Sequence, residues 1–140
     1  MTKRTTKKRC PCGGADFEKC CGRFISNTAI PQTAVELMRS RYTAYSLGAS
    51  SYLQSTWHKS TRPSDAIVDK NDMPKWIALD IRSHHQNGDR ATVEFVARYK
   101  ISGRAHRLHE VSNFVRELSP DGERWYYVDG SFPEDEKDDS

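Results

Sequence analysis

The chain has 140 residues, of which 36% are hydrophobic and 29% are charged, and its formal net charge is +3. This length allows one ordinary domain with a small appendage, and no apolar run is long enough to span a membrane. Five of the first nine residues are basic, but they lead into Cys10 and Pro11 rather than an apolar stretch, which argues against a secretory signal. We therefore expect a cytoplasmic protein.

The two ends of the chain carry opposite charges. Residues 1–9 form a basic tail, whereas residues 133–140 hold five acidic residues and one lysine. Both tails are predicted to be disordered. The intervening residues 10–132 are nearly neutral, which disfavours nucleic-acid binding and leaves it only as an alternative for the basic tail.

All four cysteines lie close together, as a Cys-x-Cys pair, seven intervening residues and then a Cys-Cys pair. Four thiolates form the ligand set of structural zinc sites and leave no position for a catalytic water. Two disulfides, four free thiols or a redox pair are the alternatives. A reducing compartment and the strain of a bond between adjacent cysteines disfavour disulfides. We predict one structural Zn²⁺ bound by Cys10, Cys12, Cys20 and Cys21.

The middle of the chain predicts two helices after a connector at residues 23–32. Thr33 and Glu36 form a capping-box pattern, and Gly48 is suited to end the helix that follows. Its apolar face is formed by Val35, Met38, Tyr42 and Tyr45. A second, short helix is predicted over about residues 50–57, followed by a loop at 60–74.

The second half of the chain changes to the two-residue period of strands. Four strands are predicted: Trp76–His84, Ala91–Ile101, His106–Leu118 and Trp125–Asp129. Turns are predicted at Asn87-Gly88, Gly103-Arg104 and Asp121-Gly122. Helices followed by an antiparallel meander indicate an α+β domain, with the helices on one face of a curved sheet.

The predicted turns also assign side chains to the two faces of the sheet. A Gly103-Arg104 turn would pair Tyr99 with Leu108 and Phe95 with Ser112, and an Asp121-Gly122 turn would pair Phe114 with Asp129. The row that faces the helices is then apolar apart from Glu110, Ser112, Arg116 and Asp129. One bulged residue in the first hairpin would place Leu79 and Ile81 on the same face.

Two stretches resemble known families. Cys10-Pro11-Cys12-Gly13-Gly14 and Lys19-Cys20-Cys21-Gly22 resemble the SEC-C motif, a small zinc module, which implies that the four cysteines are zinc ligands. Leu37-Met38-Arg39-Ser40-Arg41-Tyr42, Thr56-Trp57-His58 and Trp125-Tyr126-Tyr127-Val128-Asp129-Gly130 resemble the YchJ-like bacterial family. This resemblance implies a SEC-C zinc knuckle at 10–23 and a cone-shaped, nuclear-transport-factor-2-like domain at 24–132. It implies no particular activity.

Glu110 raises a question because it lies in the apolar row. A buried carboxylate must be paired or have its pKa raised. One hypothesis is an ion pair with Arg39 or Arg41. The other is a polar spot in a pocket of the cone, where Glu110, Asp129 or His58 would be the catalytic candidates. The candidates for lining this pocket are Arg39, Arg41, Tyr42, Trp57, Ser112 and Tyr127.

The segment His106-x-x-His109-Glu110 contains ligand types but is predicted to be a strand. Residues three apart on a strand point to opposite faces, so we predict no metal site there.

Three functions are compatible with these patterns. The favoured interpretation is a protein-interaction or adaptor module with a structural zinc, which binds a protein partner through the knuckle and is not an enzyme. The first alternative is a small-molecule-binding or isomerase/hydrolase-type pocket around Glu110 and Asp129. The second is nucleic-acid or ribosome binding through the basic N-terminus.

Overall fold

The structure, a computed structural model, describes residues 9–65, 67–69 and 73–133. Its elements are α1 (Cys21–Ile25), α2 (Ala34–Leu47), α3 (Ser50–Ser55), β1 (Lys75–Asn87), β2 (Arg90–Ile101), β3 (Arg104–Ser119) and β4 (Gly122–Ser131). The predicted tails at 1–9 and 133–140 lie outside the described residues, apart from Arg9 and Pro133. Across the described ranges, no helix is long and apolar enough to cross a membrane.

Helix α2 begins and ends where the capping pattern predicts. The Thr33 hydroxyl accepts a hydrogen bond from the Glu36 backbone N–H at 3.0 Å, and Gly48 ends the helix with a φ of 74°. Helix α1 was not predicted, since its five residues were assigned in part to a connector. The division between residues 23 and 24 stays a prediction, although α1 runs across it.

Helix α2 is buried over more of its circumference than one apolar stripe would allow. Ser40, Arg41 and Thr43 are buried together with the apolar residues of the helix. The reason is that α2 contacts α1, α3 and three of the four strands. Its buried polar side chains therefore need internal partners, which the neighbouring segments supply.

The four strands form one antiparallel sheet in the order β1-β2-β3-β4. The predicted α+β fold and its helix-facing apolar row are confirmed. Cys10, Cys12 and Cys21 belong to the same core cluster as Leu37 of α2 and Phe95 of β2. The cysteine segment is thus packed into the domain core.

The β2–β3 register differs from the predicted one by two residues. Phe95 pairs with Glu110, and the turn is Ser102-Gly103 rather than Gly103-Arg104. Both turn residues have positive φ, 51° and 80°, as the type I′ turn of a two-residue hairpin requires. The predicted pairing of residues between β2 and β3 was therefore wrong. Because side chains alternate with a period of two, a shift of two residues leaves each side chain on the face of the sheet that was predicted for it.

The β3–β4 register also differs by two residues, because Ser119 pairs with Gly122 and the turn is Pro120-Asp121 rather than Asp121-Gly122. A bulge in β4 overturns one further placement. Phe114 pairs with Tyr127, but Asn113 pairs with Asp129, so Val128 is an extra residue. Asp129 therefore turns to the outer face of the sheet, against the prediction that it shares a face with Glu110.

The bulge predicted in the first hairpin is confirmed. Ile81 pairs with Phe95 and Ser83 with Glu94, which leaves Arg82 as the extra residue. Leu79 accordingly pairs with Ala97 on the helix-facing side of the sheet.

Candidate functional site

The four cysteines meet at one point. Their Sγ atoms all lie within 4.8 Å of one another. Cys12 Sγ is 3.6 Å from Cys20 Sγ, which is 4.0 Å from Cys21 Sγ. All four are free cysteines, so the two-disulfide alternative is not realised.

Local backbone geometry brings the two cysteine pairs together. The Cys10 N–H donates to the Gly14 carbonyl at 3.1 Å, and the Gly13 N–H donates to the Cys10 carbonyl at 3.0 Å, which closes a tight turn. A Cβ at Gly14 would lie 2.8 Å from Cys20 Sγ. Glycine at this position is therefore what allows the second pair to approach the first.

Helix α2 holds the cysteine cluster from the core side. An Arg39 guanidinium N–H donates to the Cys12 carbonyl at 3.2 Å. The Thr43 hydroxyl lies 3.6 Å from Cys10 Sγ. Arg39, which was predicted to line the pocket of the cone, contacts the cysteine segment instead.

The thiols influence one another strongly. The hydrogen bond with Cys21 lowers the pKa of Cys12 to about 4, and it raises the pKa of Cys21. Burial, followed by its contacts with Cys12, raises the pKa of Cys20 to about 11. Negative charge on one sulfur opposes negative charge on its neighbours, and a bound dication would offset this repulsion.

The arrangement fits a tetrahedral metal site. Four sulfur atoms at about 2.3 Å from a zinc ion would be about 3.8 Å apart. The Cys12–Cys20 and Cys20–Cys21 separations of 3.6 and 4.0 Å lie on either side of this value, and all four sulfur atoms lie within 4.8 Å of one another. A site closed by four sulfurs leaves no ligand position for a substrate.

A second feature is a cavity of about 240 Å³ between α2 and the inner face of the sheet. Its apolar and aromatic walls are Met38, Tyr42, Tyr45, Trp76, Phe95, Ala97 and Leu108. Its polar lining is Arg41, Glu110, Ser112 and Tyr127. An apolar cavity with a few convergent polar groups is the usual form of a ligand site.

Glu110 is 8% exposed and is held by two hydroxyl groups. Ser112 and Tyr127 donate hydrogen bonds to Glu110 Oε2 at 2.8 and 3.0 Å. Burial raises the pKa of Tyr127, and the neighbouring carboxylate raises it further, so this hydroxyl keeps its proton and donates. No arginine in the described ranges forms an ion pair with Glu110, so the predicted pairing with Arg39 or Arg41 is wrong.

Arg41 is 2% exposed and is bound by other groups. One guanidinium nitrogen donates to the Leu53 carbonyl at 2.9 Å and to the Thr56 hydroxyl at 2.7 Å. The guanidinium lies over the ring of Tyr127, 4.6 Å from its centre, and over Trp57 at 5.2 Å. Burial lowers the pKa of Arg41, and nearby tyrosines and Glu110 oppose this shift.

The segment after α3 runs along the edge of β4 and positions these groups. The Tyr127 N–H donates to the Thr56 carbonyl at 2.9 Å, and the His58 N–H donates to the Tyr127 carbonyl at 2.7 Å. Trp57 packs edge-on against Tyr127 and lies behind the cavity rather than in its lining. Its predicted place as a lining residue is therefore wrong.

Two of the three catalytic candidates lie away from the cavity. His58 bonds to Glu117 at 2.8 Å and packs against Tyr126 on the outer side of the sheet. Asp129 accepts a hydrogen bond from Asn113 at 2.8 Å. It borders a separate and larger depression of about 400 Å³, and half of the residues that line this depression are exposed. Only Glu110 lies in the aromatic cavity.

Most of the cavity walls were not named as lining residues from the sequence. Phe95, Ala97 and Leu108 could have been included, because strand alternation already put them on the helix-facing row. Met38 and Tyr45 belonged to the predicted apolar face of α2. Trp76 had no such signal, because its position depends on a second irregularity in β1, next to Ile77.

The strand and the opposite side-chain directions predicted for the His106-x-x-His109-Glu110 segment agree with the structure. His106 stacks on Tyr99, at 5.2 Å between ring centres. His109 bonds to Glu94 at 2.7 Å on the outer face, whereas Glu110 faces the core. These groups do not converge on a common point.

Both a family model and curated relatives match this chain. A family model described as "YchJ, middle NTF2-like domain" matches residues 33–130. A UPF0225 protein of Cupriavidus metallidurans is 54% identical over 128 residues, which cover 89% of each chain.

Two solved structures also match. The solution structure of a SEC-C motif containing protein from Rhodopseudomonas palustris has a TM-score of 0.75 and 28% identity, and the match covers 89% of this chain and 98% of that one. A crystal structure of a SEC-C motif containing protein from Psychrobacter arcticus has a TM-score of 0.73 and 24% identity, with coverage of 87% and 81%. The second likeness is one of fold alone.

The position of Glu110 depends on a glycine in β4. A Cβ added at Gly130 would overlap the Glu110 carboxylate, although the backbone there is open to any residue. We predict that Gly130→Ala lowers the free energy of unfolding by about 1–3 kcal/mol, because the carboxylate must move within a packed interior. Denaturant unfolding monitored by tryptophan fluorescence measures this change.

The matched control is the same substitution in a Glu110→Ala background. In that background the added methyl group meets no carboxylate, so Gly130→Ala should lower the free energy of unfolding by less. An equal loss in both backgrounds would show that the overlap with Glu110 is not its cause.

Proposed function

This chain belongs to the YchJ-like family, and from that premise we propose that it is a zinc-stabilised protein whose cone domain binds a small molecule. The observation that carries the proposal is the cavity beside Glu110, which is open to a ligand rather than filled by an arginine. The zinc has a structural role at the other side of α2.

The zinc assignment is supported by the donor set. Four free thiols with sulfur separations of 3.6 and 4.0 Å suit a tetrahedral thiolate site. The resemblance to the SEC-C motif supports the same metal. Because the cysteines are part of the core, the metal would hold the N-terminal segment against α2. When bound, it would supply cross-linking between Cys10, Cys12, Cys20 and Cys21 and no reaction chemistry.

We predict one zinc ion per chain in the purified protein. Elemental analysis should give a ratio of about one, and the thiols should react slowly with a disulfide reagent until a strong chelator is added. Cys12→Ser should lower both the zinc content and the melting temperature, because a ligand is lost.

Thr43→Val provides the matched control for that experiment. It changes a contact of Cys10 without removing a sulfur, so the zinc content should stay at about one. A metal-free protein with four rapidly reacting thiols and an unchanged melting temperature would contradict the assignment.

Small-molecule binding is supported by the shape and chemistry of the cavity. It has about 240 Å³ of space, whereas an apolar cavity of ~150 Å³ is large enough for benzene. Tyr45, Trp76 and Leu108 are partly exposed, which indicates the side on which the cavity meets solvent. Glu110 provides a polar anchor opposite the aromatic walls.

We predict that filling the cavity prevents binding. In the zinc-loaded protein, one-ring probes such as toluene and phenol should shift the NMR signals of Phe95, Ala97 and Leu108. Ala97→Phe should abolish these shifts, because residue 97 is 1% exposed and lines the cavity. Ala78→Phe is the matched control, since Ala78 is exposed in β1 and pairs with Arg98. Absence of shifts with every probe would contradict the proposal.

A second candidate function is a partner surface on the zinc knuckle. Arg9, Lys19 and Arg23 are exposed around the buried cysteines. This group of positive charges is suited to an acidic protein surface, with binding that weakens as salt is added. Deletion of residues 1–23 would be a poor test, because it removes part of the core.

Charge reversal tests the partner surface without removing core residues. We predict that Arg9→Glu combined with Lys19→Glu loses the salt-sensitive partners found by cross-linking and mass spectrometry, while the zinc content is kept. Lys59→Glu, at an exposed loop position elsewhere, should retain them. Identical partner sets for all three proteins would contradict the adaptor role.

A further inference from the structure

The cavity contains two opposite charges that are not in contact. Arg41 is 2% exposed and Glu110 is 8% exposed. Burial lowers the pKa of Arg41, and the negative charge of Glu110 opposes this shift and so favours the charged form of Arg41. Tyr127 lies between the two groups: the Arg41 guanidinium lies over its ring, and its hydroxyl donates to the Glu110 carboxylate. The ionic lining is therefore balanced before any ligand enters.

This balance disfavours a charged ligand. An anion would have to lie beside the Glu110 carboxylate, and a cation would leave the buried guanidinium of Arg41 uncompensated. An unpaired charge in an interior is costly because the surrounding groups do not replace its hydration. A neutral molecule leaves both charges as they are.

Hydrogen bonding at Glu110 specifies what the neutral molecule must present. Ser112 and Tyr127 both donate to Oε2. The other carboxylate oxygen, Oε1, receives no hydrogen bond from the residues that the structure describes. An ionised carboxylate only accepts hydrogen bonds, so a partner for Oε1 must carry an O–H or N–H donor.

The walls add a requirement for shape. Tyr42, Trp76 and Phe95 surround the cavity, and Tyr42 meets Trp76 edge-on at 5.6 Å between ring centres. Flat rings pack well against such aromatic surfaces. The volume of about 240 Å³ suits one or two rings.

Resting on the proposed small-molecule function, we infer that the cavity takes a neutral, flat molecule of one or two rings that donates an O–H or N–H hydrogen bond to Glu110 Oε1. The ring lies among the aromatic walls, and the donor reaches the polar end. Tyr127 keeps its own donor directed at Oε2, so the ligand and the tyrosine share one carboxylate without competing.

Four probes of similar size test this assignment on the zinc-loaded, full-length chain. Phenol is neutral with a donor, toluene is neutral without one, benzoate is an anion, and benzylamine is a cation at pH 7. Affinities come from NMR titration of the Phe95, Ala97 and Leu108 signals. Phenol should bind about tenfold more tightly than each of the other three, because only phenol combines neutrality with a donor.

Glu110→Gln tests how much the carboxylate itself contributes to binding, apart from the rest of the cavity. It should reduce the affinity for phenol by about tenfold and leave toluene nearly unchanged. Glu94→Gln is the matched control, since Glu94 lies on the outer face, where it bonds to His109. If Glu110→Gln fails to fold, the order of the four probes on the unaltered protein still decides the matter.

The outcomes distinguish this inference from the proposed function. Equal binding of toluene and phenol would overturn the donor requirement, and tighter binding of benzylamine or benzoate would overturn the neutral class. Each of those results would leave the small-molecule function standing. Failure of all four probes to bind would overturn both.

Discussion

The buried guanidinium of Arg41 is the interaction on which the arrangement of the cone depends. It needs partners inside the protein, and it finds them in the last turn of α3, in Thr56 and over the ring of Tyr127. These contacts fix α2, the segment after α3 and β4 relative to one another. Since a buried arginine without partners would be strongly destabilising, the cavity is bounded by groups that have little freedom to move.

Helix α2 also connects the two sites. Arg39 and Thr43 contact the cysteine segment, while Arg41 and Tyr42 line the cavity on the side facing the sheet. The knuckle and the cone therefore share a helix as well as a hydrophobic core. Under the proposed function, loss of the metal would loosen one side of the same helix that shapes the cavity, so we expect metal content and ligand affinity to be linked.

Much of the fold follows from local chemistry that is visible in the sequence. The ends of α2 are set by Thr33 and Gly48, and the strand faces are set by alternation, which survives a register error of two. The turns themselves were harder to locate, because Ser102 adopts a positive φ that is uncommon outside glycine, asparagine and aspartate. The convergence of the four cysteines was predictable from their spacing, whereas the cavity was predictable only in part. The position of Glu110 depends on Gly130, and the position of Arg41 depends on Leu53, Thr56 and Tyr127. These contacts join residues that are distant in sequence, so local sequence patterns do not predict them.

The extra residue in β4 has a consequence for how this family can change. Because Val128 shifts the strand by one position, Asp129 lies outside and Gly130 lies against Glu110. Regular pairing beyond Tyr127 would instead place Val128 opposite Asn113 and Asp129 opposite Ser112, on the face that carries Glu110. Two acids so close on that face would tend to share a proton. Deletion of Val128 would leave Asp129 opposite Asn113 and therefore outside, so a relative that lost this residue would still carry a single carboxylate in the cavity.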